Sequence, residues 1–195
     1  MWRRTNEMKV IALTGFAGSG KSTVAQHLEL LMRSARLPFA GVLKDVAQVL
    51  FDLDRAQMHT QEGKRAVDER WGTTPRDLLQ RFGTEAMRGN FGTDFWIKRW
   101  QIEAQKHKDC VVLVEDQRFP NESTFMQSIG AVRIGIWRGA HPTQCDTTGW
   151  HDSERYMAEC WSEMVDVEIE NNGSLQELYR KVNALVRELG FEIAS

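Results

Sequence analysis

Apolar residues in this chain come in short unbroken runs, nearly free of charge, separated by longer stretches of helical period. Val10-Ile11-Ala12-Leu13 is the first such run and Val111-Val112-Leu113-Val114 the strongest. Continuous runs of this length, without polar alternation, are what strands buried on both faces require, and such strands belong to parallel sheets covered by helices. The pattern predicts strands over residues 9–14, 38–42, 110–115, 131–137 and 165–170. Helices are predicted over 22–34, 44–51, 75–88, 94–106, 121–128 and 174–189. Pro75 suits the first turn of its helix, and Ser174 with Glu177 three residues on makes a capping box. The alternation of the two element types predicts an α/β chain: a five-stranded parallel sheet with helices on both faces.

Two stretches resist that alternation. Residues 52–100 are polar and helical and carry many basic side chains, among them Arg70, Arg76, Arg81 and Arg88. Residues 138–163 contain Gly139, Pro142 and Gly149 with too little apolar periodicity for a core element, which predicts a mobile flap between the fourth and fifth strands. At 195 residues and 42% hydrophobic content there is no room for a second large domain, so one domain over 1–195 is expected, with these two inserts.

Charge and cysteine content narrow the partners. With 25 basic against 27 acidic residues the net charge is −2, which argues for neither a nucleic-acid groove nor an anionic membrane surface and leaves a small molecule. No apolar run approaches membrane-spanning length and the N-terminus does not read as a signal peptide, so a cytoplasmic protein is expected. Three cysteines at irregular spacing make no disulfide framework. His141, Cys145, His151 and Cys160 lack the paired spacing of a zinc staple.

Chemistry enters at Gly15-Phe16-Ala17-Gly18-Ser19-Gly20-Lys21-Ser22, set between the first strand and the first helix. This is a phosphate-binding loop in its proper context. Backbone N–H groups of Gly15, Ala17, Gly18, Ser19, Gly20 and the helix start through Thr23 are expected to curl around the phosphates of a nucleoside triphosphate. Lys21 supplies mobile charge, and the Ser22 hydroxyl suits Mg²⁺. The third strand ends in Glu115-Asp116-Gln117-Arg118-Phe119-Pro120-Asn121-Glu122, where ligands of open parallel sheets bind. An acidic residue there can hold Mg²⁺ or its water, and an arginine two positions on can fork onto a phosphate. The alternative is an acidic helix start with a surface arginine; the phosphate loop in the same sheet favours function. Adjacent strand residues face opposite ways, so one of Glu115 and Asp116 is expected at the metal, and Asp116 is chosen.

These motifs resemble those of the bacteriophage deoxynucleoside monophosphate kinases, within the wider group of P-loop nucleoside and nucleotide kinases. The resemblance rests on Gly15–Ser22, on Phe39-Ala40-Gly41-Val42-Leu43-Lys44-Asp45, on the block from Pro75-Arg76-Asp77-Leu78-Leu79-Gln80 to Glu85, on Asp94-Phe95-Trp96, on Glu115–Glu122 and on Asn171-Asn172-Gly173-Ser174. It implies a three-layer P-loop kinase fold in which 52–100 binds the acceptor and 138–163 is the lid. It implies that ATP, with Mg²⁺, donates its γ-phosphate to a deoxynucleoside monophosphate in DNA precursor synthesis, in the host cytoplasm if the chain is phage-encoded. Dephospho-coenzyme A or phosphomevalonate kinases share the loop and an acidic strand end, and a nucleotide-switched ATPase is a reading of another class.

On that resemblance Lys21, Asp116 and Arg118 are the catalytic candidates, with Ser22 and Asp116 placing Mg²⁺. Arg118, Arg76, Arg81 and Lys44 are candidates for the acceptor phosphate. Arg76 and Arg81 lie roughly 140° apart around an α-helix, so both cannot point straight into one site, and Arg76 is favoured. Gln80, four residues on, shares its face and could read a base edge; Trp96 could stack on the base or simply belong to the core. Asn172 and Gly173 would cradle adenine, although a turn and cap explain them equally. Arg138 and Arg155 could reach the phosphates from the flap. His151-x-Ser153-Glu154 receives no task. Dimerisation is common in that family, and seven tryptophans leave room for an apolar interface as well as for a core that absorbs them all.

Overall fold

Val10–Thr14 (β1) has no residue in water along its whole length, because it runs up the middle of a sheet with a neighbour on each side and helices above and below. The computed structural model describes residues 8–192. Its strands β1, β2 (Ser34–Arg36), β3 (Val111–Val114), β4 (Val132–Trp137) and β5 (Val167–Glu170) form one sheet in the order β2-β3-β1-β4-β5. All pairings are parallel: Val10 lies opposite Val112, Ile11 opposite Val132 and Ile134 opposite Val167. Parallel neighbours need crossovers, and the intervening helices supply them.

Alternate strand residues sort onto two helical layers. Ile11, Leu13, Leu113, Ile134, Ile136 and Ile169 pack with Val24, Ala25 and Leu28 of the helix Lys21–Leu31 and with Leu178, Val182 and Val186 of Leu175–Glu188. On the other face, Arg133 and Gly135 of β4 meet the helices Pro120–Ser128 and Trp161–Met164. Gly135 permits that contact: a Cβ there would fall 2.5 Å from Trp161 Cζ2. Arg133, nearly buried, donates to Ser123 Oγ at 3.0 Å, to the Glu163 carbonyl at 2.8 Å and to both oxygens of Asp166. Burial pushes the Asp166 carboxyl up, but the Arg133 hydrogen bonds outweigh it and hold the group below its ordinary range. Arg133→Ala is expected to lower stability by about 2–3 kcal/mol, since it strips several buried acceptors at once. A urea denaturation midpoint unchanged from wild type would contradict this staple.

Residues Phe39–Trp100 form a compact unit of their own. It comprises Gly41–Leu50, the short helices Arg55–His59 and Gln61–Arg65, then Pro75–Gln80, which widens into a π-helical stretch over Arg81–Arg88. Ala47, Leu53, Met58 and Leu78 make its small core, backed by Phe51, Leu79 and Phe82. Asp68 ties its loops, accepting from Arg70 and Gln57 while Arg70 reaches on to Asp52. The Arg70 hydrogen bond, opposed by burial, keeps Asp68 ionised far below the usual carboxylate range.

Two predicted elements are corrected. The second strand is not at 38–42 but at Ser34–Arg36, and the apolar run after it opens the helix Gly41–Leu50. Leu43 and Ala47, four apart, are the buried positions there, so the period is helical; β2 is three half-buried residues with no apolar signature. The segment 138–163 is not all loop: Asp152–Glu159 and Trp161–Met164 are helices that bury Met157, Trp161 and Met164. Among the described residues no helix is long and apolar enough to cross a membrane.

Candidate active site

The loop between β1 and the helix Lys21–Leu31 is held from three sides. Gly15 presses against β4, where a Cβ would fall 2.1 Å from the Ile136 carbonyl oxygen, and its φ of 141° is open to glycine alone. Thr14 donates its hydroxyl to the Gln117 carbonyl at 2.8 Å, tying the end of β1 to the turn after β3. Asn171, buried after β5, donates its amide to the Ser19 carbonyl at 2.8 Å. Ala17 and Gly18 lie exposed at the tip, and a Cβ on Gly18 would meet nothing within 4 Å. Among the described residues the buried Ser19 hydroxyl has no hydrogen-bond partner. A rim of backbone N–H groups open at its tip, at the N-terminus of an 11-residue helix, fits the phosphates of a nucleotide.

Lys21 lies across this rim. Its ammonium donates to the carbonyls of Gly15 at 2.6 Å and Phe16 at 2.8 Å. Burial, with Arg118 adding its repulsion, pushes the group down to about 7, against the opposing pull of Asp116, Glu115 and Glu154. The sequence therefore brings Lys21, Asp116 and Arg118 into one electrostatic neighbourhood, as expected of groups that share a ligand. β3 ends at Val114, so strand alternation does not separate Glu115 from Asp116; both act on Lys21, Asp116 the more strongly. Ser22 is exposed and Thr23 half-buried at the helix start. The Ser22 hydroxyl and the Asp116 carboxylate are the hard oxygen donors that Mg²⁺ prefers.

The turn bearing Arg118 is shaped by a residue to which the sequence assigned no role. Glu122 accepts at 2.9 Å from the Arg118 N–H and at 3.1 Å from the Phe119 N–H, closing the helix start as an acidic residue at its third position does. Gln117, wholly buried, donates its amide to the Met164 carbonyl at 2.9 Å and so ties this turn to the end of the 138–163 segment.

That segment is anchored at its start as well. The Gly139 N–H donates to Asn172 Oδ1 at 2.7 Å, and the His141 ring bridges Thr143 and Glu168. Trp161 donates to the other Glu168 oxygen at 2.8 Å. Between these anchors Trp150 sets its ring edge-on against Phe16 of the phosphate loop, centroids 5.2 Å apart. His151 caps the next helix through Ser153, placing Glu154 in its first turn. Arg138 is exposed. Arg155 pairs with Asp152 and Glu159 and lies over Tyr156, so it is engaged on its own helix and not at the loop.

Other expected site residues fall differently. Asn171, which the sequence quoted only as part of a turn, is the one that holds the loop, whereas Asn172 braces Gly139 and Glu170, and Gly173 sits against the Glu177 carboxylate of the helix cap. An amide at a strand end shortly before a capping box was the signal available. In the Phe39–Trp100 unit, Lys44, Arg76 and Gln80 are half-buried and Arg81 is exposed, 3.9 Å from Glu85. Trp96 is buried and its indole N–H donates to the Gly83 carbonyl at 2.9 Å, which sets it in the interior of that unit, the second of the two readings open to it.

A sequence profile described as deoxynucleotide monophosphate kinase matches residues 49–182. A protein of Acanthamoeba polyphaga mimivirus, provisionally named a deoxynucleotide monophosphate kinase, is 32% identical over 192 residues, spanning 92% of this chain and 96% of its own. Among solved structures, shikimate kinase from Aquifex aeolicus superposes with a TM-score of 0.43 at 16% identity, covering 94% of this chain and 99% of that one. Dephospho-CoA kinase from Campylobacter jejuni gives 0.42 at 15%, covering 93% and 98%.

Proposed function

We propose, for a chain that belongs to the deoxynucleotide monophosphate kinase family, that it carries the γ-phosphate of ATP to a deoxynucleoside monophosphate, giving ADP and the deoxynucleoside diphosphate. The observation that carries this reading is the convergence of Lys21, Asp116 and Arg118 on a phosphate loop held open at its tip.

Phosphoryl transfer spreads negative charge over the transferred group and asks the protein mainly for positioning and neutralisation. Lys21 leaves the Gly15 and Phe16 carbonyls for the donor phosphates, whose charge raises its proton affinity again and keeps it cationic. Loop amides from Gly15 to Thr23 hold the same phosphates. Mg²⁺, when bound, neutralises phosphate charge, and Ser22 and Asp116 would hold it. Arg118 draws the acceptor phosphate into line, on a backbone fixed by Glu122. No general base is needed, because the acceptor oxygen is already anionic. Arg138, exposed beside Gly139, is the candidate to meet the donor from the flap, and Asn172 and Gly173 are the candidates to border the adenine. Lys44, Arg76, Gln80 and Arg81 are the further candidates for binding the monophosphate and its base.

A coupled ADP-release assay with ATP and Mg²⁺, offering each deoxy- and ribonucleoside monophosphate in turn, tests the reaction. One or a few deoxynucleotides are expected to stimulate release strongly. Release indifferent to every acceptor would overturn the assignment and favour a hydrolytic ATPase.

A further inference from the structure

At the carboxyl end of the sheet two groups of opposite charge each keep one buried polar atom without a partner among the described residues. Arg36 closes β2, and Glu115 directly follows β3, its parallel neighbour. Arg36 pairs through Nη2 with Glu29 Oε2 at 2.8 Å, while its Nη1 stands 3.7 Å from Glu115 Oε1, beyond hydrogen-bond length. Among the described residues neither Arg36 Nε nor Glu115 Oε2 has a hydrogen-bond partner; both atoms are buried, while the side chains that carry them are 25% and 19% exposed. A pair kept for stability alone would close into the forked contact that arginine and carboxylate make so readily. Oppositely charged groups left incompletely closed on each other carry a desolvation cost, and such pairs persist where a ligand completes them.

The missing group must donate to the carboxylate and accept from the guanidinium. A hydroxyl does both with one oxygen, whereas a phosphate offers only acceptors and would meet the charge of Glu115. Sheet order gives the position: the phosphate loop follows β1, Asp116 and Arg118 follow β3 beside it, and Arg36 ends β2 beyond. An acceptor whose phosphate lies at Arg118 extends its sugar next, along the strand ends toward β2. On a deoxynucleoside monophosphate the 5′ oxygen is esterified and the 2′ position bare, which leaves a single sugar hydroxyl. We propose that Arg36 and Glu115 bind the 3′-hydroxyl of the acceptor, which donates to the Glu115 carboxylate and accepts from the Arg36 guanidinium across the 3.7 Å gap between Nη1 and Oε1. The inference rests on the transfer reaction proposed above.

The test compares kcat/KM for the best deoxynucleoside monophosphate with that for its 2′,3′-dideoxy counterpart, in the wild-type protein and in Glu115→Ala. Wild type is expected to prefer the hydroxyl-bearing acceptor by about 10- to 100-fold, the range for a hydrogen bond to a charged group, and the variant to lose most of that ratio. A general disturbance of the neighbouring Asp116 would lower both rates and leave the ratio alone. Should Glu115→Ala fail to fold, the double variant Glu115→Leu with Arg36→Met, which removes both charges together, is read in the same way. A variant ratio equal to wild type, or a wild type indifferent to the 3′-hydroxyl, overturns the subsite alone. A wild type inactive on every deoxynucleoside monophosphate removes the transfer reaction and the subsite with it.

Discussion

Lys21→Ala is expected to abolish phosphoryl transfer, by at least on the order of 10³-fold, while leaving the protein folded. The side chain serves the loop and not the core: its two hydrogen bonds go to Gly15 and Phe16 carbonyls, and the buried face of its helix is made by Val24, Ala25 and Leu28. In the proposed transfer it would supply charge where the phosphates gather it, and its surroundings are dry enough to push its ammonium down to about 7. Acceptor-dependent ADP formation, measured beside a thermal melt followed by circular dichroism, checks both halves. Turnover near wild type in a normally folded variant would remove Lys21 from the chemistry.

Arg118→Ala is expected to lower kcat/KM for the monophosphate by about 10²- to 10⁴-fold, which corresponds to roughly 3–5 kcal/mol of transition-state stabilisation. The guanidinium is a planar fork suited to a phosphate, so Arg118→Lys should recover little of the loss. Because Glu122 grips the backbone N–H of Arg118 and not its side chain, the turn should survive the substitution. The loss should therefore appear in kcat as well as in the acceptor KM. A variant with only a raised KM would make Arg118 a binding residue and move the catalytic charge elsewhere.

The fold was legible wherever burial was continuous. β1 and β3 announce themselves because a strand buried on both faces excludes unpaired charge, β4 does so despite one paired charge, Arg133, and Ser174 with Glu177 marks the last helix by its capping chemistry. β2 was not legible: it is an edge strand of three half-buried residues, Ser34–Arg36, held in the sheet by backbone hydrogen bonds that leave no trace in side-chain type. The helices at the end of the 138–163 segment were missed for a related reason. Trp161 is buried against the bare backbone of Gly135, and that fit depends on a partner 26 residues away in the chain, not on any local period.

At the site, the sequence alone determined the phosphate loop, its lysine and the Asp116-x-Arg118 strand end, because each needs a fixed residue type at a fixed spacing. Residues whose part depends on what stands opposite were decided only by the tertiary structure. Asn171 matters because the Ser19 carbonyl lies 2.8 Å from its amide, and Trp96 is anchored in the interior of its unit because the Gly83 carbonyl takes its N–H. Arg36 and Glu115 face each other only because β2 and β3 are neighbours, though 78 residues separate them in sequence. Spacing writes local backbone geometry into a chain; the pairing of distant strands, driven by burial of their shared apolar faces, creates the juxtapositions that spacing cannot express.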